Sequence, residues 1–301
     1  MASWGELLNE LQDHRISNGE AVKALTLPEL RSKYLHRLSE CTHRNVIAYY
    51  SGWLKNPRRE NLDINDSDMT GFMQCLKGMD CSKGLDLILH TPGGNPTAAE
   101  GIVNYLHAKF HDDIRVIVPQ MAMSAGTMLA CSAKSILMGK QSCLGPIDPQ
   151  YCGVPAYNIK TEYEDAKRNL DSNPESRTYW EMQLSRYPRA FYYTVCDGIQ
   201  LSAVLASEWL REYMFKGVKP EDVDARIGSI IAQLNNNNKS HSRHFGIERC
   251  KEIGLVVEEL ESNDDLQDAV LSVHHVFTIT FDQEPHAKII MNQLGAGYFV
   301  A

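Results

Sequence analysis

The chain has no Cys-x-x-Cys pair, no His-Glu-x-x-His helix and no P-loop, and each absence removes a class of function. Its eight cysteines (Cys41, Cys75, Cys81, Cys131, Cys143, Cys152, Cys196 and Cys250) are scattered, without metal-ligand spacing. A zinc hydrolase or a disulfide framework is therefore not expected, and the cysteines read as reduced, mostly buried thiols. The tandem glycine at 93–94 does not extend to a dinucleotide fingerprint, so no cofactor is expected. Clustered basic residues are missing as well: 30 Lys and Arg stand against 38 Asp and Glu, a net charge of -8, which makes nucleic acid a poor partner. No long uninterrupted apolar run occurs. The most apolar stretch, 116–139, is broken by Pro119, Gln120, Ser124, Gly126, Ser132 and Lys134, and reads as strand, helix and strand rather than a membrane span. Residues 1–12 carry acidic side chains and no basic-then-apolar run, so no signal peptide is read there and a cytoplasmic location is expected.

What is present is an ordinary globular composition over 301 residues, 43% hydrophobic and 23% charged. A capping box of Ser3 and Glu6 predicts a short helix to residue 13, and a second helix starts near Pro28; together they read as an N-terminal helical arm, residues 1–45. From there strand and helix signals alternate. Strands are predicted at 46–53, 85–90, 114–119 and 135–138, and helices at 68–79, 96–109 and 124–132, which argues for a parallel α/β arrangement. Residues 157–213 read as helical with a polar break at 171–176, the Asn run 235–238 as an exposed loop, and 248–253 and 255–257 as a last helix and strand. Helices at 266–277 and 287–294 are expected to form a C-terminal helical extension, residues 263–301, leaving 46–262 as the core.

Two segments carry chemistry. The first is His90-Thr91-Pro92-Gly93-Gly94-Asn95-Pro96, where a buried strand gives way to a helix; two glycines allow positive φ and leave backbone N–H groups free beside a helix N-terminus. The second, Met121 to Thr127, is another strand-to-helix junction with Ser124 at the start of the helix. Ser124 alone reads as an N-cap rather than a nucleophile, and the glycine turn alone as a plain bend. Together they put N–H donors and a hydroxyl nucleophile at the ends of neighbouring parallel strands, where open α/β sheets bind ligands.

The strings Leu-His-Thr-Pro-Gly-Gly (89–94), Ala-Met-Ser-Ala-Gly-Thr-Met (122–128) and Leu-Gly-Pro-Ile-Asp-Pro-Gln (144–150) resemble the serine dehydrogenase proteinase family, related to signal peptide peptidase A and Clp protease. The resemblance implies a ClpP/crotonase-like α/β superhelix of β-β-α units, usually assembled into homo-oligomers. It also implies Ser124 as nucleophile, with the N–H groups of Gly94 (or Gly93) and Ala125 as oxyanion hole, acting on a peptide or protein substrate through an acyl-enzyme.

The general base stays open at this level. Signal peptide peptidase A relatives use a downstream Lys, for which Lys160 and Lys167 are the candidates, although both sit in a charged helical stretch that reads as solvated surface. Clp-like relatives use His and Asp, and here Asp148 falls where their His would be, with His241 and His244 near the position of their Asp. An exchanged arrangement follows, in which His244 or His241 is the base and Asp148 orients it. His90 could line the site but reads better as a satisfied core histidine. Two rival functions remain: a crotonase-like acyl-CoA enzyme, and a catalytically silent oligomeric scaffold that binds peptides.

Overall fold

Thr26 accepts a hydrogen bond from the Glu29 N–H while the Glu29 carboxylate accepts from the Thr26 N–H, and this capping box starts the first long helix. It is one of the elements of a computed structural model that describes residues 4–12, 16–17, 20–21, 24–235 and 241–301. In chain order come α1 (Trp4–Gln12), the small hairpin β1 (Ile16–Ser17) and β2 (Glu20–Ala21), and the capped helix α2 (Leu27–Thr42). Then follow β3 (Asn45–Ser51), α3 (Asp68–Leu76), β4 (Leu85–His90), α4 (Pro96–Phe110), β5 (Ile114–Val118), β6 (Met121–Ala122), α5 (Ala125–Cys131), β7 (Ser135–Met138) and β8 (Cys143–Leu144). A second hairpin, β9 (Gln150–Tyr151) and β10 (Val154–Pro155), leads into α6 (Ala156–Ser172), α7 (Arg177–Leu184), α8 (Phe191–Trp209) and α9 (Pro220–Asn235). The chain closes with β11 (Phe245–Gly246), α10 (Ile247–Ile253), β12 (Val257–Glu259), α11 (Asp264–Gln283), β13 (Lys288–Asn292) and β14 (Gly297–Val300).

The main sheet runs β12-β7-β5-β4-β3-β13-β14. Its first five strands are mutually parallel, and β13 and β14 close it antiparallel, so the protein is mixed α/β with a mostly parallel sheet. Central parallel strands are covered on both faces, which is why β4 is buried along its whole length and reads as a nearly continuous apolar run. Its alternate side chains feed two cores. Leu85, Leu87 and Leu89 pack with α3, α4 and α5, whereas Ile88 packs with α2 and α11 through Leu30, Leu35, Val273 and Phe277. Asp86, on the second face, has no exposed surface and is neutralised by Arg44 and Arg115, each at 2.8 Å.

One predicted element is of the wrong kind. Residues 287–294, expected as a helix, form β13 and the turn beyond it, and β13 lies between β3 and β14 inside the main sheet. Lys-Ile-Ile-Met-Asn is buried at every position, so it shows no period-2 alternation and resembles a buried helical segment; the β-branched pair Ile289-Ile290 is the signal that favours a strand. Helix α9 has no counterpart in the expected pattern, although Pro220 followed by Glu221 and Asp222 is a helix-start signature. Of the four-Asn run, Asn235 is buried at the end of α9 and the other three lie outside the described residues, as does Ser3 of the first capping box. The cysteines are all free, four buried, two partly exposed and two exposed. Among the described residues no helix is long and apolar enough to cross a membrane.

Candidate active site

β4 ends at His90, and the chain turns through Thr91, Pro92, Gly93 and Gly94 before Asn95 caps α4, its side chain accepting from the Thr97 N–H at 2.9 Å. Neither glycine tolerates a side chain. A Cβ on Gly93 would lie 2.6 Å from both the Met123 carbonyl oxygen and Ser124 Cβ, and one on Gly94 would lie 2.3 Å from the Ile64 nitrogen. The two segments singled out above are thus in van der Waals contact, joined also by a parallel bridge between Thr91 and Ala122.

Ser124 stands at the N-cap of α5 with φ 52° and ψ -117°, and its side chain makes no capping hydrogen bond. A capping serine adopts an extended backbone and lends its Oγ to the helix. Ser124 does neither: its backbone lies where L-residues are strained by about 1–3 kcal/mol, and among the described residues its hydroxyl has no hydrogen-bond partner. The small residues behind it allow this geometry. A Cβ at Gly126 would sit 2.5 Å from Thr91 Cγ2, so glycine lets α5 press against the turn. Thr127 Oγ1 donates to the Ala122 carbonyl at 2.8 Å and accepts from the Gly145 N–H at 2.9 Å, which ties the loop after β8 to the same helix.

That loop carries Asp148, which is buried. Asp148 Oδ1 is 3.1 Å from His241 Nδ1, across 93 residues of chain, and Gln150 Nε2 donates to Asp148 Oδ2 at 3.3 Å. The approach follows from the small sheet. β11, just after His241, pairs antiparallel with β8, just before the Asp148 loop. With Nδ1–H donated to Asp148, the lone pair of His241 is on Nε2.

Ser124, Gly93, Gly94, Ala125 and His241 line one cleft of about 420 Å³, with Met128, Ile147 and Leu201 forming an apolar wall. The N–H of Gly93 is taken by Thr91 Oγ1 at 3.1 Å. Among the described residues, the N–H groups of Gly94 and Ala125 have no acceptor. His244 is exposed and away from the cleft. Neither lysine lines the cleft: Lys160 is half-buried on α6, 3.8 Å from Glu164, and Lys167 is exposed on the same helix.

His90 is on the opposite face of the sheet. It borders a separate cavity of about 320 Å³ together with His274 and stacks near Trp53, and its buried Nδ1 has no partner among the described residues, so it is not a satisfied core histidine. Burial holds the His90 imidazole well below its ordinary pKa, and burial followed by the His275 charge lowers His274 to about 4. Among the described residues no cluster of three or more His, Cys, Asp or Glu is arranged to hold a metal ion. The sequence reading assigned no role to Gln150 or Tyr151, which also line the cleft; both follow directly on the Asp148 loop, and only the fold turns them inward.

Comparison with known proteins adds three findings. The family model of the ClpP-like SDH-type serine proteinases matches residues 21–175, a range that holds Ser124, both glycines and Asp148 but not His241. The chain is 37% identical over 134 residues to Uncharacterized protein MJ0137 of Methanocaldococcus jannaschii, covering 43% of this chain and 46% of that protein. It is 28% identical over 174 residues to Uncharacterized protein MJ1495 of the same organism, covering 58% and 51%. The chain spans about half the length of these curated relatives.

Proposed function

Because the chain belongs to the ClpP-like SDH-type serine proteinase family, we propose that it is a serine peptidase that cleaves amide bonds through an acyl-enzyme on Ser124. In this reading Ser124 Oγ attacks the substrate carbonyl carbon while His241 Nε2 takes its proton. The developing oxyanion is held by the N–H groups of Gly94 and Ala125, worth about 3 kcal/mol each. Asp148 fixes the imidazole orientation and stabilises the imidazolium. Collapse of the tetrahedral adduct breaks the C–N bond, and His241 returns the proton to the leaving amine. A water then attacks the ester, again giving its proton to His241, and the acid departs with Ser124 restored.

The observation that carries the proposal is the strained backbone of Ser124, with its hydroxyl free, in the cleft that also holds a His241 hydrogen-bonded to Asp148. A silent scaffold has no use for that strain, and a crotonase-like thioester enzyme has no need of the serine. The apolar wall of the cleft suits a peptide with an apolar side chain next to the scissile bond. We further propose a core of repeated β-β-α units wound as a superhelix and a homo-oligomeric assembly, as the family resemblance implies.

The test is acylation by an activated ester across five variants. His241→Ala and Asp148→Asn are expected to slow acylation at least about 100-fold, whereas Lys160→Ala, Lys167→Ala and His244→Ala stay within about threefold of wild type. A large loss at Lys160 or Lys167 instead would overturn the assignment of His241 as base.

A further inference from the structure

The Gly93–Gly94 turn is gripped by a segment outside its flanking elements. The Ile64 N–H donates to the Gly93 carbonyl at 2.8 Å, and the Ile64 carbonyl accepts from the Asn95 N–H at 2.8 Å. Successive peptide groups of an extended segment face opposite sides, so engaging Gly93 O and Asn95 N–H on Ile64 turns the Gly94 N–H away from Ile64. The direction of that N–H therefore depends on where Ile64 is held.

Both neighbours of Ile64 are tied to one buried pair of charges. The Asp63 carbonyl accepts from Lys288 Nζ at 2.7 Å, and the Asn65 N–H donates to Asp68 Oδ2 at 3.0 Å. Lys288 and Asp68 form an ion pair with both side chains fully buried. Tyr49 Oη–H donates to the same Asp68 oxygen at 2.8 Å. A buried ion pair is a weak stabiliser, because desolvation offsets most of its attraction. The contacts of this one run to the segment that grips the glycine turn.

We propose that Asp68 and Lys288, acting through Ile64, are positioning residues that fix the Gly94 N–H of the oxyanion hole; the proposal rests on the serine-peptidase reading of the cleft. They touch neither substrate nor reacting atoms. Lys288 comes from β13, so the last third of the chain completes a site whose nucleophile is at residue 124.

The test uses the full chain with Asp68→Asn and Lys288→Met together, which removes both charges and leaves none buried alone. Tyr49→Phe, which removes one hydrogen bond to Asp68, is the milder companion. The double variant is expected to acylate Ser124 about 100-fold more slowly and to bind a peptide boronic acid, whose adduct places an oxygen in the hole, more weakly by a similar factor. The affinity of an uncleaved peptide, measured on a Ser124→Ala background, should change less than about threefold. Amide exchange over 61–66 and 92–97 should rise at least about tenfold relative to β5 and β7. A folded double variant that matches wild type in acylation, boronate affinity and exchange overturns the proposal, as does an equal loss of peptide and boronate binding. If the double variant does not fold, Tyr49→Phe carries the same comparison, with a loss of about tenfold expected and no loss overturning the proposal. If the wild-type protein does not acylate at all, the peptidase reading fails on its own. The exchange measurement then still decides the positioning role: faster exchange in the two segments supports it, and unchanged exchange overturns it.

Discussion

At the scale of the residue, Ser124 is where local preference and the observed backbone part. Its φ of 52° and ψ of -117° suit glycine, yet serine stands there. Ser124→Gly should therefore be more stable than Ser124→Ala by about 1 kcal/mol, because alanine keeps the strain that glycine removes, and both should be inactive. Thermal melting of the two variants checks this; an alanine variant as stable as the glycine one would mean that the backbone is not strained. His90 and His274 make a second prediction. Their folded-state pKa values lie below the ordinary histidine value, burial being the first cause in each, with His274 at about 4. The unfolded chain then binds more protons between those values and about 6.5, so stability rises with pH across that window. It is complete above pH about 6.5 and declines as the pH falls toward 4. Melting temperature should drop between pH 7 and pH 5, and His274→Asn should flatten the drop; an unchanged slope would contradict the assignment.

At the scale of the element, β13 shows what a sequence conceals. A central strand with a neighbour on each side commits every interior N–H to one side or the other. Ile290→Pro should cost at least about 3 kcal/mol and abolish cooperative folding, a result that denaturant titration can read. Strands 85–90 and 135–138 were legible to the residue because short apolar runs are bounded there by Gly84, by the Pro92-Gly93-Gly94 turn and by Gly139. β13 was not, since burial on both faces erases the alternation that separates strand from helix. The same limit applies to the site. The glycine turn and Ser124 are local motifs and can be read from spacing. The choice between His241 and His244 depends on how β11 docks on β8: Phe245 points into the core, so its neighbour His244 points to solvent, whereas His241 reaches the Asp148 loop. Pairings across 93 residues leave no periodic trace.

At the scale of the molecule, the sheet separates two environments. The face under α3, α4 and α5 carries the cleft with Ser124, and the opposite face, under α2 and α11, holds His90 and His274 beside a second cavity. The Ser124 cleft is built by distant segments converging: the loop at 63–65, the two strand-to-helix turns, the Asp148 loop, and His241 just before β11. No single stretch of chain holds the residues of the proposed chemistry, in which the fold would supply the geometry that makes a weak hydroxyl into a nucleophile. The central claim is that Ser124 is that nucleophile. It is tested most directly by treating the full chain and its Ser124→Ala variant with a fluorophosphonate and reading intact mass. The account predicts one adduct on the wild type, mapped to Ser124, and none on the variant; equal labelling of both would contradict it.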